Sequence, residues 1–431
     1  MTYKQTISYL YDHLPMFSRI GAAAYKKDLY NTIALSERLH HPEKKFRSIH
    51  VAGTNGKGST SHMLAAILQK AGYKTGLYTS PHIKDFKERI LINGIPVSEQ
   101  FVTEFVERTK TMSDEIQPSF FELTVMMAFE YFASQEVDIA VIETGLGGLL
   151  DSTNIITPVL SVITNIGYDH QNLLGNTLEE IAFQKAGIIK KGIPVVVGET
   201  LPETKEVFVR KAKEEGAPIT FAEEKYIAEF TDAEGALLFC NIRNTETDIT
   251  EKLRLGLSGL YQVKNACTVL AAIDTLRSTG FDITEKALHE GVEFVKDITH
   301  IKGRWEILQS KPTVIADVAH NKDGIKNIIA QLENTYPAEK IHFVLGFVHD
   351  KDVGEVLRLF PANASYYFTN AHIPRALPVA ELKEKAFAAG IAGEGFNNVN
   401  AAFAAAKSNA LEDEVIMICG SFFIIGELNI M

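Results

Sequence analysis

Residues 51–60 read VAGTNGKGST: three glycines set around Lys57, with two hydroxyls following. The run Ser48–Ala52 (SIHVA) leads into them as a short apolar segment suited to a buried strand. Behind them Met63, Leu64, Ile67, Leu68 and Ala71 recur at helical spacing over Ser59–Ala71, and Gly72 supplies a stop. Strand, glycine loop and helix in that order form a phosphate cradle. Glycines let backbone N–H groups close on phosphate oxygens, and the helix N-terminus adds its positive dipole end. Asn55, Gly56, Lys57, Gly58, Ser59 and Thr60 make up the loop, with Lys57 placed for the β- and γ-phosphates of ATP. A hydroxyl of Ser59 or Thr60 is placed for magnesium. Gly58 stands between the lysine and the first hydroxyl, a departure from the common G-x-x-x-x-G-K-[ST] spacing. A plain glycine-rich turn with one exposed lysine is the alternative, and the strand–loop–helix context argues against it.

Working outward, short apolar runs keep alternating with helical segments. Thr75–Tyr78, Ile139–Ile142, Val159–Thr164 and Pro194–Gly198 read as strands; Phe121–Ala133 and a capped segment from Thr177 to about Ile188 read as helices. That alternation predicts an α/β fold with a mainly parallel sheet covered on both faces. From Leu201 to Leu257 the pattern turns polar and suggests added antiparallel strands, and Tyr261–Leu276 reads as a helix. Phe294–Gly303 is the expected linker. Alternation then resumes through the strands Thr313–Ala316, His342–Leu345, Tyr366–Thr369 and Val415–Cys419, a second, smaller α/β domain.

The chain has 431 residues, more than one ordinary core accommodates. A formal charge of −11 argues against broad adhesion to nucleic acid or an anionic membrane. Three scattered cysteines give no metal spacing or disulfide framework and fit a reducing, cytoplasmic compartment. The most apolar segment, Ile416–Gly426, has about half the roughly 20 residues of a membrane span.

Other candidate donors fall at strand ends. Glu143 follows the run IAVI, His170 lies beyond Val159–Thr164 in TNIGYDH, and Ser80 follows Thr75–Tyr78. Each alone could be a cap, a loop histidine or a turn residue. Together on one edge of the sheet they resemble a magnesium set, since open α/β sheets bind ligands there. Lys185 sits among apolar neighbours in AFQKAGII. Such a lysine ordinarily snorkels to solvent; full burial would instead favour a neutral amine able to add carbon dioxide.

These motifs, with TSPHIKDFKERI, SFFELT, ETGLGGLLDSTN, QKAGIIK, GLYQVKNA, KGRWE, IADVAHN, DKD and CGSFFIIGE in order, resemble the folylpolyglutamate synthase and dihydrofolate synthase family of the Mur ligase superfamily. The resemblance implies an ATP-binding Mur-ligase central-type domain over 1–297 and a Rossmann-like ligase domain over 298–431. It implies a monomer that uses ATP and takes a folate or dihydropteroate, and L-glutamate, as its small-molecule partners. It implies two magnesium ions bound through Ser59, Ser80, Glu143, His170 and a carbamate on Lys185. Asn265, Arg304 and Asp317 match nucleotide contacts. Ser119, Phe120, Phe121 and Glu122, with Leu150, Asp151 and Ser152, match the pterin-binding region. His320 and Ser421 match positions near the incoming glutamate, and Lys57, Lys185, His320 and Asp317 are the implied catalytic groups. Two departures stand out: Leu149 replaces the usual arginine of GLGGRLD, and Tyr261 precedes Gln262 where histidine is common. The rival readings are a Mur-type ligase for cell-wall precursors and a P-loop ATPase without ligase activity. Mur enzymes usually carry threonine directly after the lysine, and a bare ATPase leaves KGRWE and DVAHN unexplained.

Overall fold

The computed structural model describes residues 1–21, 26, 28–349 and 352–430. Asp350 and Lys351 of the DKD motif lie outside the described residues. Contacts divide the chain into two units. The first takes residues 1–232, 239–256 and 262–301; the second takes 233–238, 257–261 and 302–431.

The first unit is built on eight strands: β1 (Arg47–Ala52), β2 (Thr75–Tyr78), β3 (Ile90–Ile92), β4 (Ile95–Pro96), β5 (Ile139–Glu143), β6 (Leu160–Ile163), β7 (Val195–Val197) and β8 (Ile219–Phe221). Their order is β4-β3-β2-β5-β1-β6-β7-β8. β2, β5, β1, β6, β7 and β8 run parallel, while β3 and β4 add antiparallel at one edge. Parallel strands need both faces covered, which is why β1, β5 and β6 are almost wholly buried. β1 lies centrally between β5 and β6, so chain connections leave it on both sides. The crevice at its C-terminal end is where such sheets bind ligands.

The sequence expectations for β1, β2, β5, β6 and β7 are met within a residue or two, and the helix expected from Ser59 begins at Lys57. The expected antiparallel addition is a three-stranded sheet of β9 (Tyr226–Glu234), β10 (Leu237–Asn244) and β11 (Thr250–Leu255). The division falls after Ile301, inside the expected linker Phe294–Gly303, but the first part of that segment is a short helix, Val295–Thr299, with Val295 and Thr299 buried. Helix Glu99–Ile116, with a buried apolar stripe of Val102, Phe105 and Val106, went unread.

The second unit holds β12 (Glu306–Ser310), β13 (Thr313–Ala316), β14 (Ile341–Leu345), β15 (Ser365–Phe368), β16 (Glu394–Gly395) and β17 (Val415–Cys419), ordered β12-β13-β17-β14-β15-β16. All but β12 run parallel. No described helix is long and apolar enough to cross a membrane.

The helix Lys57–Lys70 that carries the glycine loop is seated by helix Glu285–Glu293. At their crossing a Cβ built on Gly291 would lie 2.6 Å from the Cα of Ile67. Only a hydrogen fits between these backbones. Gly291→Ala should therefore push the helices apart and cost about 1–3 kcal/mol, the usual range for overpacking. Urea denaturation of the variant checks this; unchanged stability would show that the contact is slack.

Candidate active site

The cradle forms because the chain cannot accept side chains where it turns. Gly53 has φ 152° and a Cβ there would overlap Thr164 Oγ1; Gly56 has φ 82° and a Cβ would overlap Asn265 Oδ1. Both backbones approach their neighbours as closely as glycine allows. The segment following β6 fastens the loop. Thr54 N donates to Asn165 O at 2.9 Å, Asn55 N to Asn165 Oδ1 at 2.9 Å, and Thr164 Oγ1 to Asn55 O at 2.5 Å. From the helix Gln262–Ser278, Asn265 Nδ2 donates to Gln262 Oε1 at 2.8 Å and Gln262 Nε2 to Ser59 Oγ at 3.0 Å.

Two ammonium groups meet at one carbonyl. Lys57 Nζ donates to Gly53 O at 3.1 Å and to Thr54 O at 3.2 Å, while Lys185 Nζ donates to Gly53 O at 2.7 Å. Lys185 is only 4% exposed, so snorkelling is excluded. Burial, reinforced by repulsion from Lys57, pushes its pKa down to about 7; Asp169 and Asp151 offset part of this.

Glu143 ends β5 level with Val51 of β1 and is buried. Its Oε2 accepts from Ser80 N at 3.4 Å, which brings two of the strand-end donors together. His170 has φ 50° and opens the short helix Gln171–Leu174. Its backbone N–H donates to Asp169 Oδ1 at 2.8 Å, and Phe17 meets its ring edge-on. Thr60 Oγ1 is buried and, among the described residues, has no hydrogen-bond partner. Thr60 lies on the helix Lys57–Lys70, which packs against β5, the strand that Glu143 ends; an orphaned buried hydroxyl and a buried carboxylate are donors that suit a hard, oxygen-seeking cation such as magnesium. The residues present therefore fit the expected metal.

The segment 145–155 lies against the helix that carries Lys185. Leu149 N donates to Gln184 O at 2.7 Å, and Asn154 Nδ2 donates to Leu149 O at 3.0 Å and Gly187 O at 3.1 Å. A Cβ on Gly187 would strike the backbone of Leu149. Asp151 is buried and accepts from Leu146 N at 2.7 Å and Thr153 N at 3.0 Å; burial pushes its pKa up. Leu150 is half-buried and Ser152 is buried in the short helix that Asp151 caps. Phe121 packs against Gly145, and Phe120 lies under the guanidinium of Arg89 at 5.2 Å. Ser119 and Glu122 close a capping box on helix Phe120–Ser134, with Ser119 N donating to Glu122 Oε2 at 2.5 Å. The S-x-x-E spacing read as a binding segment is thus also that helix's start signal.

In the second unit, Asp317 follows β13 and Ser421 follows the adjacent β17. Asp317 Oδ2 accepts from Tyr261 Oη at 2.6 Å and Trp305 N at 2.7 Å, and Oδ1 accepts from Ala319 N at 2.8 Å. Burial raises its pKa, and these donors with Arg304 oppose the rise. Tyr261, noted only as a departure, thereby gains a defined partner. Arg304 lies 5.3 Å from the Phe422 ring and His320 5.9 Å from it. His320 Nδ1 pairs with Val318 O at 2.9 Å, which in the neutral ring leaves the lone pair on Nε2. Ser421 caps helix Phe422–Glu427. Sequence reasoning missed Asp169, Asn165 and the bond from Gln262 to Ser59. Asn165 and Asp169 stood in the quoted TNIGYDH and Gln262 in GLYQVKNA, but their partners are fixed only by the fold.

Residues 51–273 match the Mur ligase middle domain, and residues 303–422 match the Mur ligase glutamate ligase domain. A dihydrofolate synthase/folylpolyglutamate synthase of Bacillus subtilis is 36% identical, covering 91% of this chain and 92% of its own. A folylpolyglutamate synthase of Lacticaseibacillus casei is 33% identical over 98% of this chain and 97% of its own. Among solved structures, Escherichia coli FolC in complex with DHPP and ADP superposes with a TM-score of 0.85 at 29% identity, covering 99% of this chain and 96% of that one.

The buried amine has a stability signature. The folded-state pKa of Lys185, about 7, lies below its ordinary 10.5, so the unfolded chain binds the extra proton between those values. This group's destabilisation is therefore full below pH 7 and fades as pH rises towards 10.5. Lys185→Met should melt above the wild type at pH 7 and below, with the gap in Tm closing as pH rises. A gap that stays constant with pH would show that the amine is not desolvated.

Proposed function

The chain belongs to the folylpolyglutamate synthase and dihydrofolate synthase family of Mur ligases, and from that premise we infer an ATP-dependent ligase that joins L-glutamate to a folate, to dihydropteroate, or to both. The observation that carries the reading is the pair of ammonium groups at the Gly53 carbonyl, inside a glycine loop and beside Glu143. A cradle alone would serve any nucleotide. A second, buried lysine on a helix bonded to the 145–155 segment supports the ligase reading, because it falls where the family resemblance implies a carbamate.

A carboxylate does not couple to an amine unaided, because oxide is too poor a leaving group. Its oxygen attacks the γ-phosphorus of ATP, ADP departs, and an acyl phosphate forms. The glutamate amine then attacks the acyl carbon, and phosphate leaves as the amide forms. Lys57 and the N–H groups of residues 55–60 stabilise charge on the transferring phosphoryl group. Ser59 or Thr60, Ser80, Glu143 and His170 would hold magnesium, which supplies charge neutralisation when bound. Lys185, with its pKa near 7, has neutral amine available to add carbon dioxide and lose a proton. The resulting carbamate would replace a buried cation beside Lys57 with an anion, relieving the repulsion there and offering oxygens to a second magnesium.

For the second unit, we assign nucleotide contacts to Arg304 and Asp317, alongside Asn265 of the first. His320 rather than Asp317 takes the proton from the glutamate ammonium. Asp317 already accepts three hydrogen bonds, which occupy the lone pairs that an incoming proton would need. Ser421 is assigned to the glutamate as well, since its neighbour Gly420 donates its N–H to the carbonyl of Ala319, the residue before His320. Phe120, Phe121, Leu150, Asp151 and Ser152, with the Ser119–Glu122 cap, line the pterin end. Domains over 1–297 and 298–431, a monomer and a cytoplasmic setting complete the reading, the last in keeping with three buried free cysteines.

The test supplies ATP, magnesium and glutamate with dihydropteroate or tetrahydrofolate in separate reactions, resolved by mass. One added glutamate on at least one acceptor is expected, and none on either would overturn the reading. Lys185→Ala should lower turnover at least 100-fold, roughly the loss seen when a charge-stabilising group is removed, while ATP binding by calorimetry persists. Full turnover by that variant would remove the carbamate.

A further inference from the structure

His50 lies in the middle of β1, fully buried, and takes no part in the chemistry above. Its Nε2 is 2.8 Å from Thr153 Oγ1, and Thr153 Oγ1 is 2.5 Å from Asp151 Oδ1. Its Nδ1 is buried and has no hydrogen-bond partner among the described residues. Burial, with the nearby Lys190 ammonium, pushes the imidazole pKa down to about 3, so the ring is neutral.

These contacts admit one direction of proton donation. If Asp151 were protonated and donated to Thr153, the Thr153 hydroxyl would donate to Nε2 and the ring proton would sit on Nδ1, a buried N–H with nothing to accept it. A buried orphan donor is the rarer and costlier defect. In the opposite direction Nε2–H donates to Thr153 Oγ1 and the Thr153 hydroxyl donates to an ionised Asp151. Asp151 then also receives the N–H groups of Leu146 and Thr153.

We propose that His50 is a positioning residue for the pterin end of the site: as a neutral Nε2–H donor it fixes the Thr153 hydroxyl on Asp151 and so sets the shape of the 145–152 loop. This rests on the reading that the loop meets the pterin. Residues 145–151 have no helix or strand of their own; Leu149 ties one point of them to the helix bearing Lys185, and the bonds that Asp151 collects set the course around Leu146. The phosphate loop is fastened separately, by Thr164 and Asn165. The two ends of the site therefore answer to different residues.

Two measurements decide the matter. In the wild type, ¹⁵N-histidine NMR should show His50, assigned by its loss in His50→Gln, as the neutral Nε2–H tautomer at neutral pH. An Nδ1–H tautomer or an imidazolium would overturn the relay. In steady-state kinetics, Thr153→Val and His50→Leu should each raise KM for the pterin substrate about tenfold, the equivalent of one charge-assisted hydrogen bond. KM for ATP should stay within about twofold, and His50→Gln, which keeps an N–H donor, should restore most of the loss. An unchanged pterin KM in Thr153→Val, or an equal loss for ATP, would overturn the proposal. A wild type that accepts neither pterin would instead sink the functional reading, and the tautomer would still decide the relay.

Discussion

The carbonyl of Gly53 is the point on which the site depends. It receives Lys57 from the helix that follows it and Lys185 from a helix more than a hundred residues along the chain. Two ammonium groups converge on one oxygen only if the backbone beneath is held against their repulsion. That hold comes from geometry more than charge. Gly53 has no Cβ to keep it from Thr164, and Thr164 in turn bonds the carbonyl of Asn55. The positive centre that an acidic protein needs for phosphate is therefore made by the close approach of three segments.

The same logic links the sheet to the reacting groups. Glu143 stands at the end of β5, the Asn165 segment follows β6, and the glycine loop follows β1 between them. Three adjacent parallel strands ending together deliver a carboxylate, a clamp and a cradle to one edge. Lys185 lies on a helix, and backbone bonds from the 145–155 segment join it to this group.

Much of this was legible from residues 51–60 outward, because glycines at forced turns and apolar runs between them leave few alternatives. The burial of Lys185 was not. Its nine-residue helix, Leu178–Ala186, is too short for periodicity to mark which face turns inward, and local spacing favoured solvent. The partners of Asp317 and Ser59 were equally hidden, since Tyr261 and Gln262 reach them from far along the sequence. The segment around Val295 looked like a linker because five residues carry too little pattern to declare a helix. Ser119 and Glu122 show the reverse difficulty: one motif carries a capping signal and a family signal at once.

Leu149 joins its surroundings through its amide N–H and carbonyl, and Gly187 is cut to fit its backbone. Nothing in that fastening depends on the side chain. The position can therefore carry a cation or an aliphatic group while the loop keeps its course. That freedom comes from the main-chain N–H of residue 149, a donor that no point substitution there except proline removes.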